Sequence, residues 1–184
     1  MNTTNRKTPT LWTLDPLDTT VRFSVRHFMV THVGGVFQTL RGHVRYDAEH
    51  PEATEVNVDI PTASLDTRDA QRDEHLRGPH FFDAERYPTL TFRSTHVRSV
   101  ERAKLVIAGD VTLRGKTREL ALTVSEITGE QNDHNGAARI GAMATATLLR
   151  SDFGMTYNIA LDAGGIALSD EVKLIVDVSL VKRG

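Results

Sequence analysis

From Thr20 onward the chain alternates apolar and polar residues with a period of two, the spacing of strands with one buried face. Val21, Phe23, Val25 and His27 fall on one side of the first strand, with Arg22, Ser24 and Arg26 on the other. Gly34-Gly35 is expected to break or bulge that strand. Over residues 36–47 the shared face then holds Val36, Leu40, Val44 and Tyr46. The stretch around Pro51 reads as a loop, and residues 54–61 form the cleanest strand, with Val56, Val58 and Ile60 on one face. Pro88 opens a fourth strand that carries Leu90 and Phe92. Residues 103–114 and 117–127 read as a hairpin turning at Arg114-Gly115-Lys116. Its inner faces carry Leu105, Ile107, Val111 and Leu113 on one arm and Leu120, Leu122 and Val124 on the other. A polar loop at 129–136 precedes a seventh strand over about 137–150. Phe153, Met155, Tyr157, Ile159 and Leu161 alternate next, and Gly164-Gly165 turns the chain. The last strand, 171–181, aligns Val172, Leu174, Val176, Val178 and Leu180.

One stretch departs from the pattern, Ser64 to Phe92. Asp66 can serve as an N-cap and Gly78-Pro79 as a stop, which predicts a short helix of roughly a dozen residues. At helical spacing Arg68, Arg72 and His75 share a stripe, with Leu65 and Leu76 beside it and Asp69 and Asp73 beyond. An aromatic group follows: Phe81, Phe82, Tyr87 and Phe92. A cationic row next to apolar side chains and rings suits a gate over an apolar cavity. The plainer alternative is a capped surface helix whose rings belong to the core.

Eight alternating strands either stack as two sheets or close into a barrel, and closure removes the exposed edges. An eight-stranded barrel is just wide enough to be filled by side chains or to hold one small ligand. Strand seven favours the second outcome, because Ala142, Ala144 and Ala146 follow Ile140 on one face where a solid core calls for bulk. The opposing view has Met143 and Leu149 pointing inward instead. The expected fold is all-β: an eight-stranded antiparallel up-and-down barrel with one short helix between strands three and four. Residues 1–10 are expected to be a flexible segment and 11–184 a single barrel domain.

Composition narrows the function classes. The 184 residues carry 22 basic and 24 acidic side chains, so no overall attraction to nucleic acid is expected. No apolar run approaches the ~20 residues of a membrane-spanning helix. The absence of cysteine removes disulfides, thiolate metal sites and a cysteine nucleophile. No apolar segment follows the N-terminal basic residues, so the chain as it stands reads as cytoplasmic. A protein whose leader had been removed would look the same, which keeps the periplasm as the alternative.

The eight histidines form no HExxH or HxH pattern, and neither metal nor cofactor is expected. Asp152-Phe153-Gly154 matches a kinase triplet without the glycine-rich or HRD loops that would give it meaning. His27 extends an inward face, so it is either a hydrogen-bonded core residue or a polar anchor for a ligand's head group.

Five stretches together resemble one known family: WTLDPLDTTVRFSVRHFMVTHVGGVF at 12–37, VDIPTASLDTRDAQRDEHLRGPHFFDAERYPTLTFRST at 58–95, VIAGDVTLRGKTRELAL at 106–122, LLRSDFGMTYN at 148–158 and LSDEVKLIVDVSL at 168–180. The chain resembles the YceI-like polyisoprenoid-binding proteins, and RDEHL, FFD and YPTLTF are the most specific pieces of the match. The resemblance implies a lipocalin-like barrel that carries a long-chain isoprenoid, a prenyl phosphate or prenyl quinone, without catalysis. His27, Arg72, Asp73 and His75 would then meet the polar head. Phe23, Val25, Leu76, Phe81, Phe82, Phe92, Ala142, Ala144, Ala146, Phe153 and Met155 would line the channel and its mouth. Two rival readings are an enzyme pairing His27 with a helix carboxylate, and a haem or flavin carrier ligated by His27. Self-association as a homodimer is left open.

Overall fold

The computed structural model describes residues 9–160 and 167–182. Its strands are β1 (Thr10–Leu14), β2 (Thr20–His27), β3 (Thr31–Phe37), β4 (Arg41–Tyr46), β5 (Glu55–Pro61), β6 (Leu65–Asp66), β7 (Thr89–Glu101), β8 (Lys104–Leu113), β9 (Lys116–Ser125), β10 (Gln131–Asn132), β11 (Ala138–Leu149) and β12 (Leu168–Lys182). One helix, α1 (Ala70–Arg77), lies between β6 and β7.

β1 and β2 both pair with β12, while β4 pairs with β1 and β3 with β2. Each of these two couples is therefore one long barrel strand interrupted midway. The ring continues through β5, β7, β8, β9 and β11 and closes where β11 meets β12, giving an eight-stranded antiparallel barrel in chain order. β3 pairs with β6 rather than with β5, and α1 follows β6 directly.

The break expected at Gly34-Gly35 lies instead at Gln38–Leu40. Gly34 and Gly35 sit in an unbroken ladder opposite Ser24 and Phe23. A Cβ on Gly35 would come within 2.8 Å of the Phe23 ring, of Thr67 and of the Asp66 carbonyl, so glycine is what lets the chain around β6 close against the sheet. The later break also changes the inner face: Phe37 points inward and Val36 does not. The hairpin between β8 and β9 turns at Arg114 and Gly115, both with positive φ, as expected. The polar 129–136 loop contains the short strand β10.

The helix is shorter than predicted and is capped differently. Asp69 is the N-cap, its carboxylate accepting from Arg72 N at 3.0 Å, and Gly78 N donates back to Glu74 and His75 carbonyls at the other end. Asp66 does not cap, because the three residues between it and α1 are not helical; its carboxylate accepts from Arg68 N and from Gln38 Nε2. Arg68, at φ 63°, precedes the helix, and Leu65 is fully buried beneath it. Only Arg72 and His75 of the expected cationic stripe remain on α1.

Two apolar clusters hold the barrel. Trp12, Leu14, Leu40, Val44, Ile140 and Leu180 pack at one end. Phe81, Phe92, Val111, Leu113, Leu120, Phe153 and Met155 pack toward the other. Tyr87 belongs to neither: its ring covers Gly115 in the β8–β9 turn, where Arg86 stacks over it. The expected flexible segment falls, but for its last two residues, outside the described residues, as do Leu161 and Gly164-Gly165. Among the described residues no helix is long and apolar enough to cross a membrane.

Candidate functional site

The inward faces of the strands enclose an apolar cavity of about 480 Å³. Strand alternation builds its wall, since every second residue of β2, β5, β8, β9, β11 and β12 must point inward once the barrel closes. Phe23 and Val25 of β2 line it, as do Phe92 of β7 and Ala142 and Ala144 of β11. The two alanines face Val178 and Val176 across the ladder, and their short side chains leave the space that a branched residue would fill. Leu76, Phe81, Phe82 and Met155 complete the lining at the end covered by α1 and the turn after it. Phe82 stands edge-on to Phe23 and Phe37, with ring centroids 6.4 and 5.7 Å away.

Two residues expected in the channel lie elsewhere. Phe153 sits in a 3-10 turn, Arg150–Phe153, and is buried in the second cluster rather than at the cavity. Ala146 shares the inward parity of β11 but packs against that same cluster. Phe153 alternates in sequence with Met155, Tyr157 and Ile159, but the turn takes it out of phase with these three, which do line the cavity.

Polar side chains gather at the rim. His27 ends β2, half-buried, its ring edge-on to Phe28 at 4.2 Å. Arg72 donates from Nε to Thr67 Oγ1 and from Nη2 to the Thr67 carbonyl, both at 2.8 Å, and its Nη1 lies 3.9 Å from the Asp69 carboxylate. His75 Nε2 faces His80 Nδ1 at 3.2 Å, and His80 stacks on Tyr157 with centroids 4.7 Å apart. The Gly78-Pro79 stop folds the chain back on the helix, which brings together these two histidines from either side of it. The rings of His75 and Tyr157 also meet edge to face at 5.0 Å.

Asp73 is not part of the rim. It is buried, its Oδ1 accepting from Thr67 N at 2.9 Å and from Thr67 Oγ1 at 2.6 Å. Burial works against its charge, but the Thr67 hydrogen bonds and the nearby Arg77 and Arg72 prevail and hold its pKa below the usual carboxylate value. Through the two Thr67 donors it pins α1 to the chain leaving β6.

Arg150, which the sequence did not single out, is the buried cation of the site. Its Nη1 donates to the carbonyls of Met155 at 2.5 Å and Tyr157 at 2.8 Å, and its Nε to that of Ser169 at 2.9 Å. Among the described residues no carboxylate lies within salt-bridge distance of it, and burial pushes its pKa down while Asp170 works the other way. The guanidinium lines the cavity and ties the chain after the 3-10 turn to β12. An arginine at a strand end looks like any solvated side chain, so no sequence signal marks it. No group of three or more histidine, aspartate or glutamate side chains is placed to hold a metal among the described residues.

A family model for the YceI-like domain matches residues 12–180. The chain belongs to the YceI-like family. Among its YceI-like relatives, a UPF0312 protein of Ectopseudomonas mendocina is 34% identical over 163 residues, 89% of this chain and 82% of the relative. One from Shewanella putrefaciens is 36% identical over 157 residues, 85% of this chain and 80% of the relative. Of solved structures, Burkholderia cenocepacia BcnA superposes with a TM-score of 0.78 at 22% identity, covering 90% of this chain and 98% of that one. A domain from Saccharophagus degradans described as polyisoprenoid binding gives 0.66 at 14% identity, covering 96% and 100%. Both show that the YceI-like barrel is the fold.

Proposed function

We propose that this protein is a non-catalytic carrier that holds the tail of a long-chain amphiphile, a polyisoprenoid above all, inside the barrel. The observation that carries the reading is the cavity: about 480 Å³, walled by aliphatic and aromatic side chains, inside a closed barrel. An apolar cavity of roughly 150 Å³ takes a benzene-sized guest, so this one has room for a hydrocarbon on the order of 20 carbons, about four isoprene units. Each buried carbon group contributes ~0.8 kcal/mol, roughly 4 kcal/mol gross per isoprene unit, and a few units therefore outweigh the cost of ordering the tail. The shared fold with a domain described as polyisoprenoid binding supports the same ligand class.

The polar end of the ligand sits at the rim, where His27, Arg72 and His75 present donors suited to a phosphate or a quinone oxygen. The enzyme reading requires His27 to work with a helix carboxylate, and Asp73 is turned away into Thr67. Native mass spectrometry of gently purified protein, followed by lipid extraction and titration with geranylgeraniol, tests the proposal. Recovery of a prenyl lipid, or saturable uptake of one, is the expected result. Protein that is always empty and refuses added prenyl alcohols would rule the carrier reading out.

A further inference from the structure

The hairpin between β2 and β3 turns through Phe28, Met29 and Val30, immediately beyond His27 at the rim. All three are exposed, at 51%, 67% and 81%. Ile159, 56% exposed, joins them: Phe28 N donates to the Ala167 carbonyl and Ala167 N to that of Ile159. Phe28, Met29 and Val30 are consecutive, and these backbone bonds bring the Ile159 chain beside them, so four exposed apolar residues share one part of the cavity rim.

The backbone adds a second observation. Phe28 and Met29 both have positive φ, 47° and 62°, in a turn where asparagine and glycine are the residues that fit. The other described non-glycine residues with positive φ are Arg68, Asp83, Arg114 and Glu126, all charged. Folding explains neither the strain nor the exposure of two large apolar side chains, and such outliers are where a functional demand is sought. The ionisable residues of 26–32 are Arg26, His27 and His32, none acidic, and the acidic residues beside them are Asp170 and Glu171 in the β12 bulge opposite Arg26. Arg26 and His32 face each other across the ladder, a basic pair just behind the apolar tip.

We infer that Phe28, Met29, Val30 and Ile159 insert into the interfacial layer of an anionic lipid bilayer and set the cavity mouth against it. The inference rests on the carrier reading, since a water-insoluble tail must pass from a bilayer into the barrel without crossing water. Apolar side chains enter the acyl boundary while Arg26 and His32 meet lipid phosphates.

The test uses the full chain and the double variant F28N/M29G, which gives the turn the residues its backbone prefers. Flotation is measured on phosphatidylcholine vesicles with and without one-quarter phosphatidylglycerol. Uptake of detergent-solubilised geranylgeraniol is followed in parallel. The expected result is that the wild type floats, more strongly on the anionic vesicles. The variant should lose on the order of tenfold or more in vesicle partitioning. It should also melt at the same or a higher temperature and load from detergent as before. Equal flotation of variant and wild type overturns the proposal, as does a wild type that loads from detergent but ignores both vesicles. Equal wild-type flotation on both vesicle types overturns the role of the basic pair. Concentration-dependent self-association that the variant abolishes, with no flotation, assigns the tip to a second copy and overturns it too. Tip-dependent flotation with no uptake of prenyl alcohol by either protein supports docking and removes the carrier reading instead.

Discussion

At the floor of the barrel Trp12, Leu14, Leu40, Val44, Ile140 and Leu180 pack into a continuous apolar cluster, and Trp12 is only 2% exposed. At the mouth the aromatic turn and the 3-10 turn pack Phe81, Phe153 and Met155 into the second cluster, and polar contacts tie down these turns and the short helix as well. Asp73 holds Thr67, Arg72 holds Thr67, and Arg150 holds three carbonyls. Packing gives one arrangement that resists change, since core side chains interlock at crystal-like density. Hydrogen-bonded loops are open locally at lower free energy than a core strand. The proposed carrier role, with a ligand admitted at one end, uses this asymmetry.

Substitutions can break the contrast, beginning with the floor. Trp12→Ala should cost about 3–5 kcal/mol in denaturant unfolding, because a large buried ring is replaced by a cavity. Affinity of the folded fraction for geranylgeraniol should stay within a few-fold of wild type. A loss under about 1 kcal/mol would mean the floor is not the stabilising end. At the mouth, Arg150→Met should cost about 2–3 kcal/mol, since carbonyls of Met155, Tyr157 and Ser169 lose their donor while a buried charge is relieved. Limited proteolysis should cut near Tyr157 sooner, and Arg150→Lys should not restore protection because lysine has no planar fork.

Asp73→Asn should cost about 1–3 kcal/mol, the loss of a charged acceptor for both Thr67 donors. The pH dependence has a definite sign. Asp73 has a lowered pKa in the folded protein, so its stabilisation is complete above the unfolded value of about 3.9 and fades as pH falls through the folded one. Melting temperatures of wild type and variant should therefore converge in acid and differ at neutral pH. The smallest effect on stability, under about 1.5 kcal/mol, is expected for Ala144→Phe, whose ring enters open space. Uptake of prenyl alcohol should nonetheless fall by about tenfold or more, measured by native mass spectrometry. Unchanged uptake would show that the ligand does not occupy the space beside β11.

Much of this architecture is legible residue by residue. The inner faces of β5, β8, β9 and β12 follow from alternation, because a closed barrel forces each strand to present one face inward and the apolar side chains fix which face that is. Prediction failed where partners distant in sequence outvote local preference. Local sequence points to Asp66 as the cap, but the pairing of Leu65–Asp66 with Val36–Phe37 and the left-handed Arg68 delay the helix to Ala70, which leaves the cap to Asp69. Asp73 looks like one more polar residue beside Arg72 until Thr67 is seen to offer it two donors. Val36 and Phe37 exchange faces because the break falls at Gln38–Leu40 and not at the glycines.

By itself the sequence determined an all-β chain of eight strands, most of their inward residues, a short helical insertion and a family, because these depend on period and motif. The tertiary structure alone decided that the interior is hollow, since an inward alanine leaves space only if its neighbours do not fill it. Burial of Arg150 among carbonyls, the meeting of His75 with His80, and the strained apolar tip beside His27 were likewise settled there. Each depends on where separate segments come to rest, which is a property of the closed barrel and of no single stretch of chain.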